Sequence, residues 1–263
     1  MIKPTRKHGK MSLISVLHFY KLVFRSMLLL GTLVTCLILR PDNAVELFTG
    51  FDTMPVIMAV VWLLFAVEMI LRFFPSRFES KGCQKQFAKN YIPTDKKGRP
   101  GEENRGVWLV ILSWVALNAV IGVLYYTHII DECVLLVISL TYSVCDMICI
   151  LFFCPFQTWM MKNKCCGSCR IYNWDYAMMF TPLIFVRTWY TWSLLGLGLL
   201  LLFVWEVFHL LHPERFSENT NACLHCSNCP EKLCHHKTQL HRFWTREKER
   251  LQNKLKRSAD SDN

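Results

Sequence analysis

The chain has 263 residues, of which 52% are hydrophobic, with 9 Trp, 18 Phe and a net charge of +10. Apolar residues gathered into long runs exclude a single soluble domain and predict a multi-pass membrane protein whose main partner is the lipid bilayer. We predict an all-α fold, a polytopic transmembrane helical bundle of about five membrane segments with a cysteine-rich cytoplasmic tail. No nucleic-acid partner is expected.

Three parts follow one another along the chain. Residues 1–15 form a basic N-terminus, residues 16–211 the membrane domain, and residues 212–263 a basic tail rich in Cys and His. Within the membrane domain, residues 75–106 form a basic loop and residues 162–175 a cysteine-containing loop. No cleavable signal peptide is expected, because no small-residue cleavage site follows the basic N-terminus.

Five apolar runs approach the roughly 20 residues that a helix needs to cross a bilayer. They are 24–39, 54–74, 107–130, 134–156 and 177–211. The first run is short, although basic side chains reaching for the interface could extend it back to residue 16.

The charges of the connecting segments predict their sides. The basic segments are the N-terminus, 72–105 and 162–170, and the acidic ones are 41–53 and 127–133. We expect the protein to lie in the plasma membrane. The positive-inside rule then places the N-terminus in the cytoplasm. The tail is also basic, yet five simple crossings would place it outside. Either the last run, interrupted by Pro182 and Arg187, enters and leaves before its final crossing, or the first run does not span. We expect a cytoplasmic tail.

Polar residues within two of the runs are candidates for function. Glu68 and Arg72 are four apart, a spacing that permits a local ion pair and favours structural neutralisation. Tyr142, Cys145, Asp146 and Cys149 share one stripe of a helix. Asp146 could relay protons, bind a cation or accept a hydrogen bond that holds helices together. We expect Asp146 to face the protein interior, since a lipid-facing aspartate costs about 2.5 to 3.5 kcal/mol.

The loop after the fourth run contains Cys165, Cys166 and Cys169. Neighbouring Lys164 and Arg170 favour the reactive thiolate. Three interpretations remain open for this loop: a second metal site completed by a tail residue, a redox pair, or a cysteine-containing turn.

The last run ends in a Glu-x-x-His pattern. Glu206, His209 and His212 lie near one helical face, and such a motif is half of the ligand set of di-iron bundles. No second copy of the motif is present. A polar helix end at the membrane interface is therefore favoured over a metal site.

The tail has four closely spaced cysteines, which are Cys223, Cys226, Cys229 and Cys234. Thiols at successive three-residue steps can surround one small inorganic cluster, whereas zinc knuckles are more often widely separated, so a [4Fe-4S] cluster is favoured over Zn. The reserve ligands are His225, His235 and His236. Haem attachment is excluded, because no CxxC in the tail is followed by His.

Several of these motifs belong together. The sequence resembles an uncharacterised family of small bacterial polytopic membrane proteins with a CCxxCRIxNWD loop, here at residues 165–175, and a CxxCxEKLCxHK tail, here at residues 226–237. The resemblance extends to residues 68–74 and 82–87 and so covers most of the chain. It implies an architecture and no established activity.

The sequence predicts a membrane protein whose cytoplasmic cysteines hold a metal centre for electron transfer or redox chemistry. The cluster would exchange electrons with a soluble donor or a membrane protein partner, and Tyr142 and Asp146 could supply protons to a lipid-soluble acceptor. One alternative is a transporter or channel with a structural zinc tail, in which Asp146 or Glu206 contacts the substrate. Another is a non-catalytic scaffold or assembly factor.

Overall fold

The computed structural model describes residues 13–39, 54–75, 84–94, 104–161, 169–217 and 219–225. Within these ranges the regular structure is helical and contains no β-strand. The α-helices are α1 Leu13–Leu39, α2 Met54–Leu71, α3 Asn104–Tyr126, α4 Glu132–Leu151, α5 Asp175–Phe180 and α6 Trp189–Leu211. The short helical turns are Ala88–Asn90, Arg170–Trp174, Thr181–Phe185, Pro213–Arg215 and Ala222–Leu224, all 3-10, and the π turn Phe156–Met160.

Four of the helices are long and apolar enough to cross a bilayer. Their apolar stretches are Val16–Ile38, Gly106–Tyr126, Glu132–Leu151 and Trp189–Leu211, of 20 to 23 residues each. Helix α2 is also strongly apolar but has 18 residues, about 27 Å at the usual rise. The structure thus confirms a helical protein with several candidate membrane spans.

Three run boundaries differ from those expected from the sequence. Helix α1 begins well before residue 24, because Lys21 and Arg25 are neutralised by carboxylates of neighbouring helices. Helix α4 ends at Leu151, shortly before Pro155, whose ring cannot continue an α-helix. The predicted run 177–211 is divided, since the backbone is extended at Val186 and a new helix starts after Thr188, whose side chain caps it.

One end of the bundle is marked by a disulfide between Cys36 of α1 and Cys133 of α4. We call it the disulfide end. The opposite end, where α6 ends at Leu211, is the tail end. Helices α1 and α4 run antiparallel between them, because Phe19 near the start of α1 packs on Phe152 just after α4.

Residues 170–185 form a central segment that runs between the two ends. It consists of a five-residue 3-10 turn, the six-residue α5 and a second five-residue 3-10 turn. Its first residue, Arg170, bonds Glu206 near the end of α6, whereas its last, Phe185, stacks on Tyr125 at the end of α3 with ring centroids 5.3 Å apart. The segment contains some of the most buried residues of the described chain, including Ala177 and Met179.

A small cap closes the tail end. Asn221 is fully buried there, and its amide group donates to the carbonyl oxygens of Lys85 at 3.1 Å and Arg215 at 2.8 Å. The backbone N–H of Ala222 donates to the carbonyl of Ile92 at 2.8 Å. These bonds fix the start of the tail against residues 84–94 of the basic loop.

Candidate functional site

A buried arginine connects three helices in the bundle interior. The side chain of Arg25 in α1 is 1% exposed, and its guanidinium donates to Glu68 Oε2 of α2 at 2.7 Å. The same group donates to Asp146 Oδ2 of α4 at 3.2 Å and to the carbonyl oxygen of Ser143 at 3.1 Å. The guanidinium carbon Cζ of Arg25 lies 5.2 Å from the ring centroid of Phe65, which is within the range of a cation–π interaction.

A second arginine connects α2 to the central segment. Arg72 donates to Asp175 Oδ1 at 2.6 Å and lies over the ring of Tyr176 at 4.5 Å. The hydroxyl of Tyr176 in turn donates to Glu68 Oε2 at 2.8 Å, and Lys21 Nζ lies 3.3 Å from Glu68 Oε1. The two arginine sites therefore share Tyr176 and form one charge network.

The charge network is balanced. Its three cations are Lys21, Arg25 and Arg72, and its three carboxylates are Glu68, Asp146 and Asp175. The spacing of Glu68 and Arg72 permitted a local pair and favoured structural neutralisation, and each of the two binds an opposite charge from another part of the chain. The expectation that Asp146 faces the interior is confirmed, since its side chain is 15% exposed and is bound by Arg25.

A cavity of about 320 Å³ lies beside the network, between α3, α4, the π turn and the central segment. Its wall is mostly apolar, but Asp146 and Asp175 both line it, and we call it the acid cavity. The whole predicted stripe of α4 reaches the wall, namely Tyr142, Cys145, Asp146 and Cys149. The helical periodicity of α4 therefore located one side of this cavity.

Two polar groups on residues of the wall lack a hydrogen-bond partner among the described residues. They are Asp175 Oδ2, an acceptor, and Trp114 Nε1, a donor, and both atoms are buried. Burying such a group unpaired costs about 1 to 3 kcal/mol, so native proteins rarely retain one without a reason. Both atoms are covered by protein atoms and do not themselves face the open space of the acid cavity.

The Glu-x-x-His residues of α6 are engaged in other ways. The carboxylate of Glu206 accepts hydrogen bonds from Arg170 Nη2 at 2.5 Å and Trp174 Nε1 at 2.8 Å. The ring of His209 packs on Phe216, with centroids 4.9 Å apart, and His212 Nδ1 lies 3.3 Å from Glu214. These side chains thus form a polar helix end. Across the ranges that the structure covers, no three His, Cys, Asp or Glu are arranged to hold a metal ion.

The predicted cysteine sites are only partly described. Cys169 is buried on the wall of the acid cavity, whereas Cys165 and Cys166 lie outside the described residues. Cys223 follows the buried Asn221 in the cap at the tail end. The other proposed tail ligands, Cys226, Cys229 and Cys234, also lie outside the described residues. Their metal centre stays a prediction.

Sequence reasoning missed several members of the site. Arg25 was read as a flanking charge, although an arginine inside an apolar run usually signals a buried partner. Asp175 was read only as the end of a motif. The disulfide was also missed, yet Cys36 and Cys133 adjoin the two acidic segments that the positive-inside rule assigns to the same side.

Comparison with known proteins gives no match: no family model, curated protein or solved structure is similar to this chain. The fold and site therefore define only a class, a helical protein with several candidate membrane spans and a balanced charge network next to a partly open cavity.

Proposed function

We propose that this protein is a membrane transporter whose substrate binds in the acid cavity. The observation that carries the proposal is the placement of two carboxylates, Asp146 and Asp175, on the wall of a partly open cavity beside the central segment. Ionisable groups inside a membrane are costly and usually mark substrate or ion pathways.

The geometry of the central segment supports a crossing. Its ten residues in 3-10 turns and six in α5 span about 29 Å, close to the thickness of the hydrocarbon core. With α2 and the four long helices this makes six passes, so both termini lie on one side. Such an arrangement removes the conflict between five apolar runs and a basic tail.

The irregular backbone of the segment also fits transport. Non-helical backbone at membrane depth is tolerated only where protein buries it or where it lines a cavity, and residues 170–185 meet both conditions. Many transporters bind their substrates where such segments change conformation. Asp175 lies at that position, because it is the first residue of α5 after the 3-10 turn.

The disulfide supports the orientation. Disulfides persist in oxidising compartments, so we place the disulfide end outside the cell and the tail end in the cytoplasm. The basic loops then face the cytoplasm, in agreement with the positive-inside rule.

The test measures access to the cavity from both sides of the membrane. Ser113 lines the cavity, whereas the preceding residue of α3, Leu112, is 65% exposed on the outer face of the bundle. We would introduce Ser113→Cys and, as the matched control, Leu112→Cys. Right-side-out and inside-out vesicles would be treated with a charged methanethiosulfonate, which reacts with hydrated thiolates, and modified positions would be located by peptide mass spectrometry.

A transporter predicts modification at position 113 in both vesicle orientations and little at position 112, where the thiol faces hydrocarbon. Modification from one side only would indicate a receptor or enzyme site and would contradict transport. No modification from either side would mean that the cavity is a dry packing gap.

Electron transfer is a second candidate, favoured by the presence of Tyr142, Asp146 and several thiols on one cavity wall. In this account the tail holds a [4Fe-4S] cluster that accepts electrons from a soluble donor. Anaerobically purified protein should then be brown and bleach with dithionite, whereas a zinc tail would be colourless.

A Cys226→Ser, Cys229→Ser double variant should lose most of the metal, because its remaining thiols leave the coordination shell incomplete. Full metal content in that variant would contradict a tail metal centre.

A further inference from the structure

We infer that the ion transported through the acid cavity is Cu(I), bound by sulfur atoms of its wall. The inference rests on the proposed transport function and adds the substrate. It starts from an uneven distribution of cysteine. Of the five described cysteines outside the disulfide, four line this one cavity, namely Cys145, Cys149, Cys154 and Cys169.

Thioethers add to the thiols. Met160 of the π turn and both Met178 and Met179 of α5 lie on the same wall. The cavity therefore has sulfur on the side of α4, on the π turn and on the central segment. Thiolate and thioether sulfur are soft ligands that select Cu(I), whereas Mg²⁺ and Ca²⁺ prefer oxygen.

The charges around the cavity favour a cation. Asp146 and Asp175 contribute to the wall, while their partners Arg25 and Arg72 bind them from the other side and are not part of it. An anion would therefore meet two carboxylates on a wall that has no Lys, Arg or His among its described residues. A monovalent cation adds less charge to this low-dielectric site than a divalent one, which lowers the cost of removing it from water.

The arrangement of the sulfur atoms suits an ion that moves. Among the described residues, no three His, Cys, Asp or Glu side chains are gathered to hold a metal ion. Zinc in structural sites needs four ligands, but Cu(I) accepts low coordination numbers and could be held by a few sulfur atoms at a time. Conduction requires several sites that each bind weakly enough to release the ion.

A route for the ion follows from the positions of the thiols. Cys145 and Cys149 are one turn apart on α4, Cys154 follows the end of that helix towards the tail end, and Cys169 precedes the central segment there. Cys169 is also the last cysteine of the CCxxC motif.

The test uses protection of individual thiols in the full chain. Purified protein would be kept anaerobic in detergent, treated with Cu(I) buffered by bicinchoninate, and alkylated with N-ethylmaleimide. Peptide mass spectrometry would then report each cysteine separately, so the cavity and the tail are distinguished. We expect alkylation of Cys145 and Cys149 to slow by about tenfold or more with Cu(I), because a metal-bound thiolate is not available to react, and to be unchanged with Zn(II).

A variant makes the assignment specific. Cys149→Ser should abolish the protection of Cys145 and leave the protection of Cys226 and Cys229 as it is in the parent protein. An unchanged alkylation pattern without metal would show that the variant has folded. Equal alkylation of Cys145 and Cys149 with and without Cu(I) in the parent protein would overturn the inference.

The two proposals fail separately. If position 113 is accessible from both sides but Cu(I) protects no cavity thiol, the Cu(I) inference is wrong and a transporter with another substrate remains. If Cu(I) protects the thiols but access is one-sided, the Cu(I) site stands and transport is wrong.

Discussion

Arg25 holds two carboxylates of different helices, Glu68 and Asp146, in the interior of the bundle. Charges in such a place are costly to bury, and their mutual attraction compensates only while every member is present. We therefore expect the network to set the relative positions of α1, α2 and α4 and to add little net stability. Asp146 also lines the acid cavity, so the network holds one carboxylate at the cavity wall.

Replacing Arg25 tests this view. Arg25→Ala should lower the free energy of unfolding by about 3 to 5 kcal/mol, because it leaves two buried carboxylates without their main cation. The measurement is thermal unfolding in detergent, followed by circular dichroism. Arg187→Ala, at an exposed arginine between the central segment and α6, is the control and should be nearly neutral.

A triple variant separates charge from packing. Arg25→Met combined with Glu68→Gln and Asp146→Asn should regain part of the lost stability, since no uncompensated charge remains. If Arg25→Ala were as stable as Arg187→Ala, the arginine would not be the organising group of the network.

For single residues, the sequence showed which side chains are candidates for the site, but it showed few of the residues that they contact. The period of α4 was enough to show that Tyr142 and Asp146 share a face, because helical geometry is local. It was not enough to show that Arg25 meets Asp146, which is 121 residues away along the chain. Such a contact depends on which helices are neighbours, and that information is not local.

At the scale of elements, the position of the central segment depends on close packing against α6. A Cβ atom added at Gly198 would lie 3.2 Å from the backbone carbon of Tyr176 and 3.3 Å from the nitrogen of Ala177. Small residues permit such close approach of backbones inside a membrane. Gly198 therefore lets α6 lie directly against α5.

Gly198→Ala should consequently push the central segment away from α6 and destabilise the protein by about 1 to 3 kcal/mol, because backbone atoms cannot move aside as side chains do. Gly196 is on the same helix, and a Cβ there would meet nothing within 4 Å, so Gly196→Ala is the matched control. We expect the control to be neutral or slightly stabilising, since Ala favours helix over Gly. Equal melting temperatures for the two variants would show that the contact is not tight.

The sequence predicted most helices but not the break in the last run. Pro182 and Arg187 indicated an interruption, and the structure places a 3-10 turn over the proline and a new helix two residues after the arginine. Hydropathy alone could not show that the segment before the break lies at the centre of the bundle. Its burial follows from contacts with α3, α4 and α6, and the hydrophobic periodicity of the sequence does not show which helices are neighbours.

At the scale of the whole molecule, the Cys36–Cys133 disulfide joins the first helix to the fourth across 97 residues of sequence. In non-reducing gels the protein should migrate faster than after reduction, because the cross-link makes the denatured chain more compact. Cys36→Ser should abolish the difference, whereas Cys145→Ser, at a cysteine outside any disulfide, should retain it. A parent protein whose Cys36 is fully alkylated without reductant would contradict both the bond and the proposed exterior location of that end.

From the sequence, a multi-pass helical protein was predicted correctly, but the number and arrangement of its membrane segments were predicted only in part. Apolar runs long enough to span a membrane are direct consequences of bilayer thickness, so a multi-pass helical fold could be foreseen. The charge rule also foresaw that the basic tail conflicts with five simple crossings. It could not decide how the conflict is resolved, because a segment made of short turns has no helical signature of its own.

The central claim is that residues 170–185 cross the membrane, which places Arg187 outside the cell and His212, at the other end of α6, in the cytoplasm. Arg187→Cys and His212→Cys would each be labelled in intact cells and in inside-out vesicles with a membrane-impermeant biotin maleimide, and the labelled peptide would be identified by mass spectrometry. We predict labelling at position 187 in intact cells only and at position 212 in inside-out vesicles only. Labelling at position 187 in inside-out vesicles and at position 212 in intact cells is the result for five crossings, and it would contradict the crossing of residues 170–185 and with it the proposed route through the acid cavity.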